Sequence, residues 1–161
     1  MLVPAVLHKD EVLKKFSEFI YSYDYFFYTG YVGGHRLPNV DDSDDWEHWV
    51  SVDSDGNVLG YLAYFVDHVN DSVNRFGMFS FIRDSPVFVL DCYRRLEFLV
   101  KNYRRVEWRM IGGNPVESAY DAFCEKHHGR KHVLSAVVKD RNGIYRDDVV
   151  YEVLRDGFPV H

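Results

Sequence analysis

The chain has 161 residues, which suits one domain and is too short for two ordinary ones. Its hydrophobic fraction of 47% predicts a packed core and argues against a disordered chain. The formal net charge is -6 and no basic block occurs, which argues against nucleic acid as the main partner, because phosphate backbones bind clustered lysines and arginines.

The N-terminal part of the sequence predicts a strand and a helix before a polar loop. A short strand is expected near Leu2 to Leu7, and a helix from about Lys9 to Tyr21. The aromatic, glycine-containing stretch from Tyr21 to Gly34 is compatible with a second short helix or with a loop. The acidic run from Asp41 to Asp45 lacks the glycine and the distal Glu of a calcium loop, so it predicts a solvated loop.

The middle of the sequence predicts three strands in a meander. They cover Trp46 to Val52, Val58 to Val66 and Arg75 to Ile82. The polar residues from Ser54 to Asn57 indicate a hairpin turn, and those from Asp67 to Asn74 indicate another turn. The second strand is apolar on both faces, which is typical of a central strand.

The C-terminal half alternates helices and strands. Pro86 predicts the first turn of a helix that Ser85 caps. Its expected buried face is Val89, Cys92, Leu96, Leu99 and Tyr103.

A strand from Val106 to Ile111 is expected to follow that helix. A second helix is then predicted from a cap at Asn114 to about His128. Strands near His132 to Val138 and Val149 to Leu154 complete the chain. The strand-helix-strand crossovers imply parallel pairing in the middle of a mixed sheet.

This order of elements resembles the GCN5-related N-acetyltransferases over nearly the whole chain. The best local match is Val106 to Gly129, VEWRMIGGNPVESAYDAFCEKHHG, because the family has a strand ending near an Asn and then a helix that carries a Tyr. The final YEVLR looks like the family's last strand. The chain looks most like small acetyltransferase-like proteins of bacteria and their phages. The resemblance implies one α/β domain over residues 1–161, with a mixed sheet of about six to seven strands flanked by three to four helices.

The resemblance also implies acetyl-CoA or another acyl-CoA as cosubstrate, held where two parallel strands splay apart. The family's phosphate-binding loop reads Gln or Arg, two residues, Gly, one residue, then Gly or Ala. Residues 81–88 of this chain read FIRDSPVF and contain no glycine. The anion would then depend on Arg83 and the helix start, while Asp84 opposes it. The expected cofactor-binding residues are Phe81, Ile82, Arg83, Ser85 and Asn114.

Two residues compete for the family's catalytic acid. Tyr120 lies near the family's distance from Asn114, whereas alignment on the following glycine selects Cys124. Packing against each other at i, i+4 is the alternative role for both. The candidate bases are His48, Glu107 and His68. Each is expected instead to be a surface residue or a polar residue with hydrogen-bond partners. Many family members use a water relay in place of a base.

No metal site is predicted. Cys92 and Cys124 have no metal-ligand spacing and, as free thiols, fit a reducing cytoplasm. His127, His128 and His132 lack an acidic or thiol partner at ligand spacing, so a surface role at a helix end is expected. No apolar run has the length of a membrane-spanning helix.

Two main functions remain open on the sequence, and a third class, a nucleic-acid modifier or binder, stays open against the acidic net charge. The first is acyl transfer to an unidentified amine, with the aromatic residues Tyr21 to Tyr31 as one wall of the acceptor site. The second is an inactive binding module of the same fold that has lost CoA binding and pairs as a homodimer through exposed aromatics. Four arginines lie on or just after the predicted helix that starts at Pro86, namely Arg94, Arg95, Arg104 and Arg105. They could reach the adenosine phosphates of CoA or form a solvated face.

Overall fold

The computed structural model describes residues 1–19, 37–41, 45–140 and 142–155. Within these ranges, seven strands form one sheet in the order β1-β2-β3-β4-β5-β7-β6. The strands are β1 (Leu2–Pro4), β2 (Trp46–Val52), β3 (Val58–Asp67), β4 (Ser72–Ser80), β5 (Arg105–Ile111), β6 (Arg130–Lys139) and β7 (Tyr145–Leu154). The helices are a 3₁₀ helix (Ala5–His8), α1 (Lys9–Phe19), α2 (Pro86–Asn102) and α3 (Glu117–Lys126).

The sheet is mixed, as the sequence predicts. Strands β1 to β4 are antiparallel neighbours, and β7 pairs antiparallel with both β5 and β6. The parallel pair is β4 with β5, because the chain crosses over between them through α2. The expected α/β fold, with a mixed sheet of six to seven strands, is confirmed.

The two faces of the sheet bury separate hydrophobic clusters. One face packs against α2 and α3 through residues such as Leu96, Trp108 and Phe123, and we call it the α2–α3 face. The other packs against α1 through Val12 and Phe16, and we call it the α1 face. Along β5, alternate residues therefore point to one face or the other.

Several predicted boundaries were wrong in the middle of the chain. Strand β4 begins at Ser72 and ends at Ser80, whereas the sequence indicated Arg75 to Ile82. The turn before it is tighter than expected, because Asp67 Oδ1 accepts hydrogen bonds from the Val69 and Asn70 amides at 3.1 and 3.0 Å. The predicted hairpin turn after β2 is confirmed, with Gly56 at a φ of +85°.

Both C-terminal helices also differ in detail from the prediction. Val89 of α2 is 58% exposed, and Phe88 is buried in its place because its ring packs directly over Gly60. Helix α3 begins at Glu117, since the Asn114 side chain accepts from the Val116 amide at 3.0 Å and holds a turn before the helix. It ends at Lys126, two residues earlier than expected.

The remaining differences lie near the chain ends. Strand β1 stops at Pro4, where the 3₁₀ helix replaces the predicted continuation to Leu7. Strand β7 begins at Tyr145, four residues before the predicted Val149. The predicted second helix or loop over Tyr21 to Gly34 lies outside the described residues. None of the helices within the described ranges has the length and apolar content to cross a bilayer.

Candidate functional site

Strands β4 and β5 separate before either of them ends. Their last aligned pair is Phe76 with Trp108, although β4 continues to Ser80 and β5 to Ile111. The register shifts just before this point, and Arg75 has a φ of +54°. The pairing of β4 with β3 is irregular in the same place, so β4 carries a bulge that bends it. We call the region between residues 77–80 and 109–111 the β4–β5 opening.

Within the described ranges, no side chain packs on Gly77 at this opening. Among the described atoms, a β-carbon added to Gly77 would meet only the Arg75 carbonyl oxygen, at 4.0 Å. By contrast, a β-carbon on Gly60 would lie 2.6 Å from the Phe88 ring, so that glycine is required by packing. A glycine inside a strand, with no packing need for it, marks a place where a ligand can approach the backbone.

Tyr120 lies beside the root of the opening, on the α2–α3 face. Its ring contacts Trp108 and Tyr151 edge-on, with centroid distances of 5.9 and 5.7 Å. The residue is 8% exposed, and its hydroxyl has no hydrogen-bond partner among the described residues. Burial raises the pKa of Tyr120, and the nearby Cys92 and Tyr151 raise it further. The hydroxyl therefore keeps its proton at neutral pH and is able to donate it.

Cys124 lies one helical turn beyond Tyr120. Its sulfur packs under Gly129, where an added β-carbon would be 2.7 Å from Cys124 Sγ and 2.9 Å from a methyl group of Val153. Burial is the main reason that the pKa of this thiol is raised. The position favours the packing role, because the thiol fills the contact between α3 and β7.

The expected cofactor-binding residues after β4 differ in what they contact. Phe81 is a core residue, with its ring 5.1 Å from that of Phe16 and its amide bonded to the Leu59 carbonyl at 3.0 Å. Ile82 and Arg83 are exposed beside the opening. Ser85 caps α2, because its hydroxyl accepts from the Phe88 amide at 3.3 Å.

The start of α2 therefore offers few free donors. Pro86 has no amide hydrogen, and the Ser85 side chain already occupies the Phe88 amide. Among the described residues, this leaves the Val87 amide without an acceptor. Asp84, with a φ of +54°, occupies the turn just before the helix.

Asn114 is placed at the same edge of the sheet as the loop after β4. The carboxyl ends of the parallel strands β4 and β5 meet there, and Asn114 follows β5 directly. The residue is 8% exposed, and its amide bonds to the Ile111 carbonyl at 3.1 Å. The opening, the loop after β4 and Asn114 thus lie at one edge of the sheet, and Tyr120 packs on Trp108, where the opening begins.

The overall fold has counterparts among solved structures, whereas no family model and no curated protein matches the sequence. A GCN5-related N-acetyltransferase from Brucella melitensis is similar with a TM-score of 0.60 and 20% identity, over 95% of this chain and 74% of that one. Spermidine/spermine N-acetyltransferase SpeG from Vibrio cholerae, in complex with manganese ions, is similar with a TM-score of 0.56 and 15% identity, over 70% of this chain and 66% of that one. A chimera of that organism's SpeG with hSSAT is similar with a TM-score of 0.55 and 15% identity, over 70% of this chain and 69% of that one.

The chain has the GCN5-related N-acetyltransferase fold. Likeness at these identities establishes the architecture, so activity has to be argued from this chain's own residues.

Within this N-acetyltransferase fold, the candidate bases all have other partners. His48 Nδ1 lies 2.6 Å from the Tyr61 hydroxyl on the neighbouring strand. Glu107 accepts from Arg105 at 2.7 Å and from Arg109 at 3.3 Å. His68 lies in the turn before β4, at the end of that strand far from the opening.

The arginines that sequence reasoning considered for adenosine phosphates are mostly engaged elsewhere. Arg95 stacks over Trp49, with 4.0 Å from its guanidinium carbon to the ring centroid. Arg104 directly precedes β5 and Arg105 begins it, at the end opposite the opening, and Arg105 is paired with Glu107 and Glu152. Arg94 is exposed on α2.

The three histidines near the end of α3 do not assemble a metal site. His127 pairs with Glu97 at 3.1 Å, and His132 pairs with Glu152 at 3.3 Å. In the described ranges, no three His, Cys, Asp or Glu side chains come together as ligands. The expected surface role is consistent with these pairs.

Sequence reasoning missed two features of the site. Gly77 had a readable signal, since an isolated glycine inside a strand pattern indicates a bulge or a close approach. Asp148 had none, because its partners Arg109 and Leu134 are set by strand register, which the sequence does not display.

Proposed function

We propose that the protein transfers an acyl group from acyl-CoA to an amine by direct attack. The observation that carries this proposal is the β4–β5 opening with the unpaired Tyr120 hydroxyl at its root. Acyl-CoA, when bound, supplies the acyl group as a thioester. The amine nitrogen forms a bond to the carbonyl carbon as the C–S bond breaks, and the Tyr120 hydroxyl, which burial keeps protonated by raising its pKa, donates to the departing sulfur. The proton that the amine nitrogen loses passes to solvent and replaces the one that Tyr120 gives up.

Four features support binding of the CoA portion, and the loop after β4 opposes it. The opening exposes backbone beside Gly77, the Val87 amide is free, and Arg83 is an exposed cation next to the start of α2. Asn114 completes the edge from the side of β5. Against them stands the loop itself, in which Asp84 adds negative charge and no glycine lets backbone amides wrap a pyrophosphate.

The acceptor would enter from the α1 face. Among the described residues, no side chain covers Gly77 on that face, and the carboxylates of Glu107 and Asp148 lie on the same side of the sheet. Carboxylates attract cationic amines, so the acceptor is proposed to be an amine that is positively charged in solution. Because two of the similar structures are spermidine N-acetyltransferases, polyamines are the first acceptors to screen.

The first experiment is thermal unfolding with and without acetyl-CoA. A ligand that binds only the folded state at about 100 times its dissociation constant adds about 2.7 kcal/mol of stability. We expect a saturable rise in melting temperature with acetyl-CoA and none with ATP. Desulfo-CoA separates binding of the nucleotide portion from binding of the thioester. No rise at millimolar acetyl-CoA would contradict the acyltransferase proposal.

The second experiment follows acyl transfer itself. Protein and acetyl-CoA are mixed with a panel of polyamines, monoamines and lysine peptides, and release of free thiol is recorded. We expect amine-dependent thiol release. If acetyl-CoA stabilises the protein but no amine in the panel accelerates thiol release, the CoA site stands and the amine class has to change.

A binding module without catalysis is the second candidate. The start of α2 favours this candidate, because few of its amides can bind a phosphate. Pro86 lacks an amide hydrogen, and the Phe88 amide already donates to the Ser85 hydroxyl. In that case the exposed side chains of Leu90, Tyr93 and Phe98 on α2 would pair two subunits as a homodimer. Absent acetyl-CoA binding together with a dimer in analytical ultracentrifugation would support this candidate over the enzyme.

A cytoplasmic location fits either candidate. Cys92 and Cys124 are both free and buried, and they are 4% and 5% exposed. A reducing compartment preserves such thiols. Fractionation of cells that express the tagged chain would test this placement.

A further inference from the structure

A row of charged side chains crosses β5 and β7 on the α1 face. We call it the charged row, and it consists of Arg105, Glu107, Arg109, Asp148 and Glu152. Arg105 pairs with Glu107 at 2.7 Å and with Glu152 at 3.1 Å. Arg109 pairs with Glu107 at 3.3 Å and with Asp148 at 3.2 Å. Two arginines therefore hold three carboxylates in place.

The two outer carboxylates of the row differ in how well they are paired. Glu152 has Arg105 on one oxygen, and His132 and Arg130 at 3.3 and 3.8 Å on the other. Asp148 has only Arg109, on Oδ2. Its side chain is 3% exposed, and Oδ1 is buried with no hydrogen-bond partner in the described part of the chain.

Such an oxygen is costly to the folded protein. A buried carboxylate needs hydrogen-bond donors on both oxygens, because burial removes the water that would otherwise solvate them. Buried polar atoms without partners are rare in native proteins, and each one is explained by strain, a functional role, or a bound water, ion or ligand. Asp148 Oδ1 is one of two buried side-chain polar atoms without a partner in the described ranges, and it is the one on the α1 face.

Asp148 is also close to the β4–β5 opening in the fold. Asp148 is paired in register with Ile111, the last residue of β5. Its partner Arg109 is the first β5 residue after Trp108, where the pairing of β4 with β5 stops. The side chains of its neighbours Leu134 and Arg109 reach solvent, with 48% and 37% exposed. The carboxylate thus lies one side-chain layer below the surface on the proposed acceptor side.

We infer that Asp148 Oδ1 binds an ammonium group of the acceptor that does not react. This inference rests on the proposed function, because it names the acceptor side of the same site. An ammonium ion is compact, carries three N–H donors and supplies the positive charge that Oδ1 lacks. The attacking amine must have lost its proton, whereas a carboxylate keeps its partner protonated. The acceptor therefore carries at least two amino groups.

The test compares two ligands of equal size on the protein without acyl-CoA. 1,5-Diaminopentane and hexylamine have the same number of heavy atoms, but hexylamine has a methyl group in place of one ammonium. Calorimetric titration gives both affinities. We expect the diamine to bind about tenfold or more tightly than hexylamine, because a charge-assisted hydrogen bond to a buried group is worth about 1.5–3 kcal/mol.

Three variants assign that preference to one oxygen. Asp148→Asn keeps the shape but removes the charge, so the diamine preference should disappear. Glu152→Gln is the matched control in the same row, and the preference should remain because Glu152 already has its partners. Arg109→Gln leaves Asp148 with both oxygens free, so diamine affinity should be kept or increased.

An unchanged diamine preference in Asp148→Asn, or its loss in Arg109→Gln, would overturn the inference. Equal affinities of the two amines for the unmodified protein would overturn it as well. Should Asp148→Asn fail to fold, the Arg109→Gln result and the comparison of the two amines still decide. Because no acyl-CoA and no turnover enter this titration, its failure would leave the acyltransferase proposal standing, and failure of acetyl-CoA binding would not affect this result.

Discussion

The paired and open ends of β4 and β5 belong to the same two strands, yet their side chains have different surroundings. At the paired end, Phe76 and Trp108 are aligned and almost fully buried within the larger hydrophobic cluster. At the open end, no described atom lies closer than 4.0 Å to a β-carbon added at Gly77. Where the two ends meet, Tyr120 packs on Trp108, and no hydrogen bond to its hydroxyl occurs in the described ranges. The comparison suggests that one end carries stability while the other carries candidate chemistry, and substitutions at the two ends should separate these properties.

The largest loss of stability is expected at the paired end, from Trp108→Ala. The side chain is fully buried and stacks on Tyr151 with a centroid distance of 5.4 Å. Its removal should lower the free energy of unfolding by about 4 kcal/mol, because it leaves a cavity that its neighbours fill only in part. Urea denaturation measures this loss. A loss below about 1 kcal/mol would show that the paired end is not the stable end.

The largest loss of activity is expected beside the open end, from Tyr120→Phe. Removal of one hydroxyl without a protein partner should change the free energy of unfolding by less than about 1 kcal/mol. Acyl transfer should fall by about 100-fold or more, since general acid catalysis contributes at least that much. Steady-state kinetics with acetyl-CoA and the best amine of the screen measure the effect.

Tyr151→Phe is the control for that substitution. Its hydroxyl donates to Asp121 at 2.7 Å, so it has a partner and a structural role. We expect a stability loss of about 1 kcal/mol with acyl transfer retained. Equal loss of activity in both variants would assign the effect of Tyr120 to packing among the aromatic rings.

Much of the fold could be predicted from the sequence because periodicity and turn residues are local signals. The strands Trp46–Val52 and Arg105–Ile111 follow their patterns within a residue, and Ser85 with Pro86 marks the start of α2. Boundaries failed where side chains bond to nearby amides, as Asp67 does before β4 and Asn114 does before α3. Such turns extend or delay an element without changing its hydrophobic pattern.

The candidate site was less predictable because it depends on relations between distant residues. The sequence indicated Asn114 and Tyr120 as site residues. It left both Tyr120 and Cys124 as candidates for the acid, and the contact of Cys124 with Gly129, which favours packing for the thiol, is visible only in the structure. Gly77 marks the region of the bulge, but the sequence does not place the bend at Arg75, since arginine rarely adopts a positive φ. Asp148 depends on the register of β7 against β5, which one sequence does not give.

A smaller effect is expected from a matched pair of glycines, Gly60→Ala and Gly77→Ala. The first would push a β-carbon against the buried Phe88 ring and should lower the free energy of unfolding by about 2 kcal/mol. The second meets no described atom closer than 4.0 Å and should leave stability within about 0.5 kcal/mol. If the opening binds substrate, Gly77→Ala should nevertheless raise the KM for acetyl-CoA or the amine. Thermal unfolding and steady-state kinetics on both variants test the contrast, which equal stability losses would contradict.

The smallest effect is expected away from both ends, at Glu97, which joins α2 to α3. The hydrogen bond from Lys126 lowers the pKa of Glu97 to about 2, with Tyr93, His127 and Lys101 adding to it while burial opposes it. Since the folded pKa lies below the ordinary value of 4.5, the carboxylate contributes stability above pH 4.5 and loses that contribution as pH falls toward 2.

Glu97→Gln should therefore cost about 1 kcal/mol at neutral pH and progressively less in acid, where the unmodified side chain is also neutral. The cost is small because Lys101 and Lys126 are more than half exposed to water, and it should shrink further in high salt. Urea denaturation of both proteins at pH 7 and pH 3 measures the difference. Acyl transfer at neutral pH should be unchanged, because this contact lies on the outer side of α2 and α3. A loss of activity that exceeds the loss of stability would mean that the two helices transmit strain to Tyr120, and the separation between stable and reactive ends would have to include the helix layer.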